Sequence, residues 1–361
     1  MKSIIIIISC LLVIFPALSQ NLLNNPESAV YDSLHFRYLV SNWADGSIVQ
    51  IDNNGNQSYF VTGHGSINGI YIAQNKVFAG CSTKVKGFDL ETKEMIMDLA
   101  ILGAINLNDV TADNAGNLYV TDFNKREIIK INIQNQMYST FVTGLTLQPN
   151  GILFDDLNDR LLLCSFGYNI PILEISLEDS SVSVLANTTL AQCDGFTKDD
   201  FGNYYISSWA TKSIYRFNSS FDDPPEQFYT NSQAPVDISY NSVDEILIAP
   251  IMFLNTIVYI PINPVSLDGN NKSPKKTELN QNYPNPFNPK TTIRYTLPAS
   301  NVILIKVFNV LGEKISTLVN EEKSAGSYRC EWDAGGFPSG VYFYSLTTGD
   351  FRETKKMILF K

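Results

Sequence analysis

The 361-residue sequence predicts an all-β protein, a six-bladed β-propeller followed by a small immunoglobulin-like β-sandwich. Three observations carry this. A unit of about 42 residues recurs six times between residues 27 and 251, the period of a four-stranded propeller blade rather than of a helical solenoid. Strand-like alternation fills each unit, and no 3.6-residue periodicity interrupts it. From residue 277 onward, about seven short alternating strands separated by Gly and Pro turns occupy the last 85 residues.

The repeat is anchored by one position that reads Glu27, Asn68, Asn108, Asn150, Asp194 and Val236, at intervals of 41, 40, 42, 44 and 42 residues. Blades are related by rotation about one axis, so equivalent positions lie on one ring. Five of the six carry a carboxylate or amide oxygen, the donor type that hard divalent cations take.

A second strand follows in each unit, ending at Trp43, Cys81, Phe123, Phe166, Trp209 or Ile251. Leu39-Val-Ser-Asn-Trp43, Tyr119-Val-Thr-Asp-Phe123 and Tyr205-Ile-Ser-Ser-Trp209 are rich in the β-branched and aromatic residues that fit a pleated sheet. Those terminal aromatics are expected in the core between blades. Tight turns precede these strands, at Asp113-Asn-Ala-Gly-Asn117 and Asp199-Asp-Phe-Gly-Asn203. Third strands read Ser47-Ile-Val-Gln-Ile51, Ile128-Ile-Lys-Ile131, Pro171-Ile-Leu-Glu-Ile175 and Ser213-Ile-Tyr-Arg-Phe217. The last unit shows three strands and no outer one, so Asn21 to Asn25 is expected to supply it and close the ring.

The flanks differ in kind from this middle. Lys2 followed by the apolar run Ile4 to Leu18 and by Ala17-Leu-Ser19 reads as a signal peptide over 1–19, with the mature chain starting near Gln20 or Asn21. The propeller is expected over 20–264 and a polar linker over 265–276. No later segment is apolar for long enough to span a membrane as a helix.

Charge divides along the same lines. Residues 20–271 hold 12 Lys plus Arg against 28 Asp plus Glu, whereas residues 272–361 hold 13 against 8. The acidic middle argues against nucleic acid and anionic membranes as partners, both of which need basic patches, and is compatible with bound cations. Cys81, Cys164, Cys193 and Cys330 lack zinc-site spacing. Cys164 and Cys193 fall in neighbouring blades, where a disulfide remains open, and Cys330 is expected as a lone buried thiol. The two histidines, His35 and His64, lie off the ring position, against a histidine-ligated zinc or a Ser-His-Asp hydrolase.

The end of the chain is distinctive in its motifs. Leu279-Asn-Gln-Asn-Tyr-Pro-Asn-Pro-Phe-Asn-Pro289, Val310-Leu-Gly-Glu313, Ser339-Gly-Val-Tyr-Phe-Tyr-Ser345 and Lys355-Lys-Met-Ile-Leu-Phe-Lys361 follow one another. Over 277–361 this resembles the C-terminal sorting domain of the type IX, or Por, secretion system. The resemblance implies recognition by that machinery and delivery, after Sec export to the periplasm, to the outer-membrane surface or the medium.

Within the propeller, Pro26-Glu-Ser-Ala-Val-Tyr-Asp32, Gln148-Pro-Asn-Gly-Ile-Leu-Phe-Asp155 and Cys193-Asp-Gly-Phe-Thr-Lys-Asp199 resemble the metal-binding blade starts of the gluconolactonase/regucalcin family, which are NHL-like six-bladed propellers. That resemblance implies Glu27, Asn150 and Asp194 as ligands of one divalent ion, Ca²⁺ ahead of Zn²⁺. It further implies Asp194 as the base of a lactonase or esterase reaction and Asn108, in Leu107-Asn-Asp-Val-Thr-Ala-Asp113, as a substrate contact. Sugar-lactonase members often carry Arg two residues before the equivalent of Asn108; Asn106 stands here, which argues against an acidic sugar lactone. The alternative is a non-catalytic propeller that binds a glycan, peptide or partner protein through Asn42, Asp122, Ser165 and Ser208 beside the strand-end aromatics.

Overall fold

A computed structural model describes residues 20–262, 276–282 and 285–360. The expected signal peptide and most of the expected linker lie outside the described residues. The chain divides into two compact units, 1–263 and 264–361.

The first unit is a ring of six antiparallel sheets. Blade 1 runs Pro26–Asp32, Arg37–Asn42, Ile48–Asp52 and Gln57–Val61, each strand paired with the next. Blades 2 to 5 repeat this four-stranded order, starting at Ile70–Ala73, Leu107–Ala112, Gln148–Asp155 and Cys193–Lys198. The sharp hairpins need left-handed backbone, and glycine supplies it at Gly116 (φ 86°) and Gly202 (φ 83°). Among the described residues the only helical element is the short 3₁₀ turn Met252–Leu254.

The core is built at the seams. One cluster joins Leu39, Ile48 and Phe60 of blade 1 to Ile70, Val77 and Phe88 of blade 2. Four further clusters bridge blades 2 and 3, 3 and 4, 4 and 5, and 5 and 6. The sixth brings Ala29, Val40 and Val49 of blade 1 against Ile248 of blade 6, so the ring closes on itself. Full burial of each such aliphatic side chain stabilises by about 1.5–3 kcal/mol, and these contacts hold the blades in register.

Closure differs from the sequence expectation in one respect. The last sheet has three strands, Ser239–Asn241, Ile246–Ile251 and Thr256–Pro261, and residues 21–25 do not join it. Instead these residues cap loops. Asn25 N–H donates to Asn255 Oδ1 (2.7 Å), Asn21 Nδ2 to the Asn255 carbonyl (2.9 Å) and Asn24 N–H to Asn42 Oδ1 (2.9 Å), while Leu23 is buried in the seam between blades 6 and 1. The asparagine side chains satisfy groups that a strand ladder would otherwise have to meet.

The second unit is a sandwich of two antiparallel sheets. One contains Glu278–Leu279, Lys290–Leu297 and Gly326–Asp333; the other orders Lys314–Lys323, Asn301–Phe308, Gly340–Thr348 and Phe351–Leu359. Ile293, Tyr295, Ile305, Trp332, Tyr344 and Met357 fill the space between them. Alternation along Asn301–Phe308, with Ile303, Ile305 and Val307 buried, is the period-2 pattern made real.

Candidate functional site at the propeller axis

The ring residues lie in a repeated backbone irregularity. Pro26 pairs with Asn42 but Ala29 pairs with Val40, so Glu27 and Ser28 together oppose the single residue Ser41. The same two-against-one bulge sets Asn108 and Asp109 against Thr121, Asn150 and Gly151 against Cys164, and Asp194 and Gly195 against Ser207. A bulge breaks the strict alternation of a strand and re-aims its side chains, here at the start of the innermost strand in four blades.

Hydroxyl groups opposite the bulges absorb the displaced backbone. Ser41 Oγ accepts from Ser28 N–H (2.9 Å), Thr121 Oγ1 from Asp109 N–H (3.0 Å) and Ser207 Oγ from Gly195 N–H (2.8 Å). Two of them pass the bond onward across the seam, Thr121 donating to the Asn150 carbonyl (3.1 Å) and Ser207 to the Val236 carbonyl (2.7 Å). The ring is therefore fixed by a belt of side-chain bonds as well as by packing.

Of the residues singled out from sequence, Asn108 and Asn150 are hydrogen-bonded to each other, and Asn150 reaches the backbone next to Asp194. Asn108 Nδ2 donates to Asn150 Oδ1, and Asn150 Nδ2 donates to the Cys193 carbonyl (3.1 Å). Asp194 Oδ2 accepts from Trp209 Nε1 at 2.5 Å. Asn108 is half-buried, whereas Glu27, Asn150 and Asp194 are buried. Asn68 stands apart, turned to the Leu107 carbonyl (2.6 Å).

Glu27 is the anomaly of the site, since its Oε2 is buried without a hydrogen-bond partner. Burial, and then the negative charges of Asp194, Asp237 and Asp109, hold its carboxyl well above the usual carboxylate range. Burial also pushes Asp194 up to about 6, opposed by the side chains of Trp209 and Asn150. Asp109 rises to about 7 by burial, opposed by the backbone N–H groups of Ile152 and Val110. Burial and Asp109 raise Asp237 well above its ordinary value, against the bond from Ser28. Four buried carboxyls thus lie close together, and neighbouring negative charge adds to burial in raising Glu27, Asp109 and Asp237.

Asp109 and Asp237 were not among the residues expected from sequence. They occupy the place after the ring position, which reads Ser28, Gly69, Asp109, Gly151, Gly195 and Asp237. Both aspartates staple seams: Asp109 Oδ2 accepts from Ile152 N–H of blade 4 (2.8 Å), and Asp237 Oδ2 from Ser28 Oγ of blade 1 (2.5 Å). The three glycines have a matching cause, because the next blade's backbone leaves no room for a side chain. This two-residue pattern of acid or hydroxyl against glycine was the signal available in the sequence.

The strand-end aromatics also depart from expectation. Trp43, Phe123, Phe166 and Trp209 belong to none of the core clusters. Because Gln148 pairs with Phe166, and the backbone N–H groups of Trp43, Phe123 and Trp209 donate to the Asn25, Asn106 and Gln192 carbonyls, these residues flank the starts of the innermost strands. Phe123 packs edge-on against Phe166 and Trp209 against Phe253, each with ring centroids 5.8 Å apart. Trp43, Tyr168 and Phe253 are 46, 74 and 60% exposed. The polar neighbours Asn42, Asp122, Ser165 and Ser208 are buried instead, and so form no binding surface. Asn42 donates to the Leu22 carbonyl (2.9 Å), and Asp122 accepts from the backbone of Ile105 (2.8 Å) and Asn106 (3.1 Å).

Cys164 and Cys193 are both free and buried, and Cys164 Sγ donates to the Asp194 carbonyl (3.3 Å). Cys330 is likewise free but only half-buried. His35 bridges Asp32 (2.7 Å) and Glu91 (2.8 Å), and His64 packs on Phe88, both away from the axis. Among the described residues no group of three or more His, Cys, Asp or Glu is placed to hold a metal ion. The set at issue has two carboxylates and an amide, Glu27, Asp194 and Asn150, and an oxygen-only set of this kind suits a hard cation.

Comparison with known proteins agrees with this architecture. Residues 281–360 match the secretion system C-terminal sorting domain family. No curated protein matches the sequence. Among solved structures, a gluconolactonase from Xanthomonas campestris is 14% identical, with 65% of this chain and 85% of that one covered at a TM-score of 0.56. A catalytically inactive virginiamycin B lyase from Staphylococcus aureus with quinupristin is 15% identical, with 68% and 88% covered at 0.53. A chain of a nidogen/laminin complex is 16% identical, with 59% and 84% covered at 0.51. These likenesses define the class, a β-propeller fold. The tail then adds the address: the protein carries a type IX sorting domain, which indicates export to the cell surface or the medium. Among the described residues no helix is long and apolar enough to cross a membrane.

Proposed function

We propose that the propeller is a divalent-cation-dependent hydrolase of lactones or esters, exported by its sorting domain. Glu27, Asn150 and Asp194 hold the ion, Ca²⁺ in preference to Zn²⁺, because the donors are oxygens and burial keeps the nearby Cys164 thiol protonated. The observation that carries the reading is the buried, unpartnered Oε2 of Glu27 amid three further carboxyls. A buried charge without partner or counter-charge costs several kcal/mol, and a cation at the axis offsets it. When bound, such an ion stabilises negative charge developing on a substrate carbonyl oxygen.

The protein's own groups supply the rest. Trp209 N–H fixes the Asp194 carboxylate through Oδ2, and that carboxylate takes a proton from the attacking water. That water's oxygen adds to the carbonyl carbon, the ring or ester C–O bond breaks, and the departing alkoxide recovers the proton. Asn108, more open than Asn150 and bonded to it, meets an incoming substrate first.

Two outcomes test this. Purified full-length protein is expected to retain or bind Ca²⁺ and to hydrolyse members of a lactone and ester panel, and Asp194→Ala is expected to lose both while remaining folded. A protein that binds no divalent ion by elemental analysis and titration calorimetry refutes the proposal. The exposed Trp43, Tyr168 and Phe253 favour a second reading, a non-catalytic module for a glycan, peptide or partner protein. Its mark is tryptophan quenching by such a ligand with no hydrolysis of any panel member.

Stability also depends on pH with a definite sign. The axial carboxyls hold protons in the folded state at pH values where the unfolded chain has released them. Folding therefore takes up protons, and stability present at pH 4 to 5 is lost as pH rises through the folded values of about 6 for Asp194 and about 7 for Asp109. Metal-free protein is expected to melt roughly 5–10 °C lower at pH 8 than at pH 5, and calcium to recover the difference at pH 8 only. A melting temperature that is flat from pH 5 to 8 without calcium contradicts the charge arrangement.

A further inference from the structure

The hairpin turn between Asn301–Phe308 and Lys314–Lys323 is built like the three propeller turns that start at Asp52, Asp113 and Asp199, yet presents a different surface. In Asp113-Asn-Ala-Gly-Asn117 the first side chain cages the turn, Asp113 Oδ1 accepting from Ala115 N–H (2.9 Å) and Asn117 N–H (2.8 Å). In Asn309-Val-Leu-Gly-Glu313 the cage is the same: Asn309 Oδ1 accepts from Leu311 N–H and Glu313 N–H, both 3.0 Å. Asn309 Nδ2 adds a bond to Glu313 Oε2 (2.7 Å), and Gly312 takes the left-handed conformation at φ 77°. The turn is therefore fixed in shape.

Its tip breaks the usual chemistry. Turn tips favour Gly, Asn, Asp and Ser, whereas Val310 and Leu311 here are 66 and 79% exposed. The third propeller turn of this form, Asp199-Asp-Phe-Gly-Asn203, also carries an apolar residue, but Phe201 packs against the seam between blades 5 and 6. Leu311 packs against none of the second unit's core. A rigid turn that holds out two aliphatic side chains departs from local rules at no gain to its own fold, as functional sites do. The domain that bears it, 281–360, matches a family defined by being read for secretion.

We infer that the Val310–Leu311 tip inserts into an apolar pocket of the secretion component that recognises this sorting domain. Full-length protein and its variants are to be expressed in a type IX-competent bacterium, and the fraction reaching the surface or medium measured. Leu311→Asp is expected to lower export at least tenfold, with the purified protein melting at the wild-type temperature. Val302→Asp, the same chemical change at a 59% exposed position on the adjoining strand, is expected to export normally. Should Leu311→Asp perturb melting, the double variant Val310→Ser, Leu311→Ser restores ordinary turn chemistry and serves instead. Wild-type export of the tip variant that melts normally overturns the inference, and so does an equal loss in Val302→Asp.

Discussion

Gly195→Ala is expected to destabilise the propeller by about 3–5 kcal/mol, at the upper end of single substitutions. The cause is contact between backbones. A Cβ on Gly195 would stand 2.2 Å from the Ile238 nitrogen and 2.8 Å from the Asp237 Cα, both atoms of the next blade's entering chain. A flexible side chain can swing aside, but a backbone nitrogen cannot move without carrying its strand. Overpacking against side chains costs about 1–3 kcal/mol, and rigid neighbours place this site above that range. Moving Asp237 would also strain its bond to Ser28, the staple between blades 6 and 1. The matched control is Gly336→Ala, where nothing lies within 4 Å of the added carbon; it should stay within about 0.5 kcal/mol of wild type. Urea unfolding of the two variants decides the matter: a Gly195→Ala midpoint equal to that of the control would show that the seam is looser than its geometry.

That same crowding explains what sequence could and could not disclose. The 42-residue period and the strand alternation were legible because every blade must bury the same faces against its neighbours, so six copies reinforce one weak signal. The ring position was legible because it recurs at nearly constant spacing. The bulge was not, since it is a relation between two strands: Glu27 and Ser28 share one partner only when their pairing with Ser41 is known. Counting one residue per blade therefore passes over Asp109, which shares a bulge with Asn108, and Asp237, which lies just before the first strand of blade 6. The aromatics at Trp43, Phe123, Phe166 and Trp209 are legible as strand ends but not as lying outside the core, because hydropathy does not distinguish an apolar residue packed in a seam from one left at a strand's open end. The outer edge of blade 6 is decided by local chemistry that the period does not carry. Asn21, Asn24 and Asn25 bond the loops at Asn255 and Asn42 and leave that sheet at three strands.

The sharpest consequence for the site concerns Glu27→Gln, which is expected to abolish calcium binding and yet stabilise the metal-free protein at pH 8. The two effects share one origin. At pH 8 the buried Glu27 carboxyl either carries a charge repelled by Asp194, Asp237 and Asp109 or takes up a proton at a free-energy cost; glutamine has the same shape and neither burden. Its amide also brings N–H donors to a place where one oxygen now lies unpartnered among acceptors. Relief of roughly 1–3 kcal/mol is expected without calcium at pH 8, shrinking as pH falls and the raised wild-type carboxyl takes up its proton. Addition of calcium should reverse the order, because only the wild type gains from the ion, by RT ln(1 + [L]/Kd). Such a crossing of the two melting curves is the signature of a site that holds charge in readiness for a ligand at the expense of its own fold. A single measurement can break this account: if the glutamine variant melts below the wild type at pH 8 in chelator, Glu27 is already satisfied within the protein and has no need of a cation.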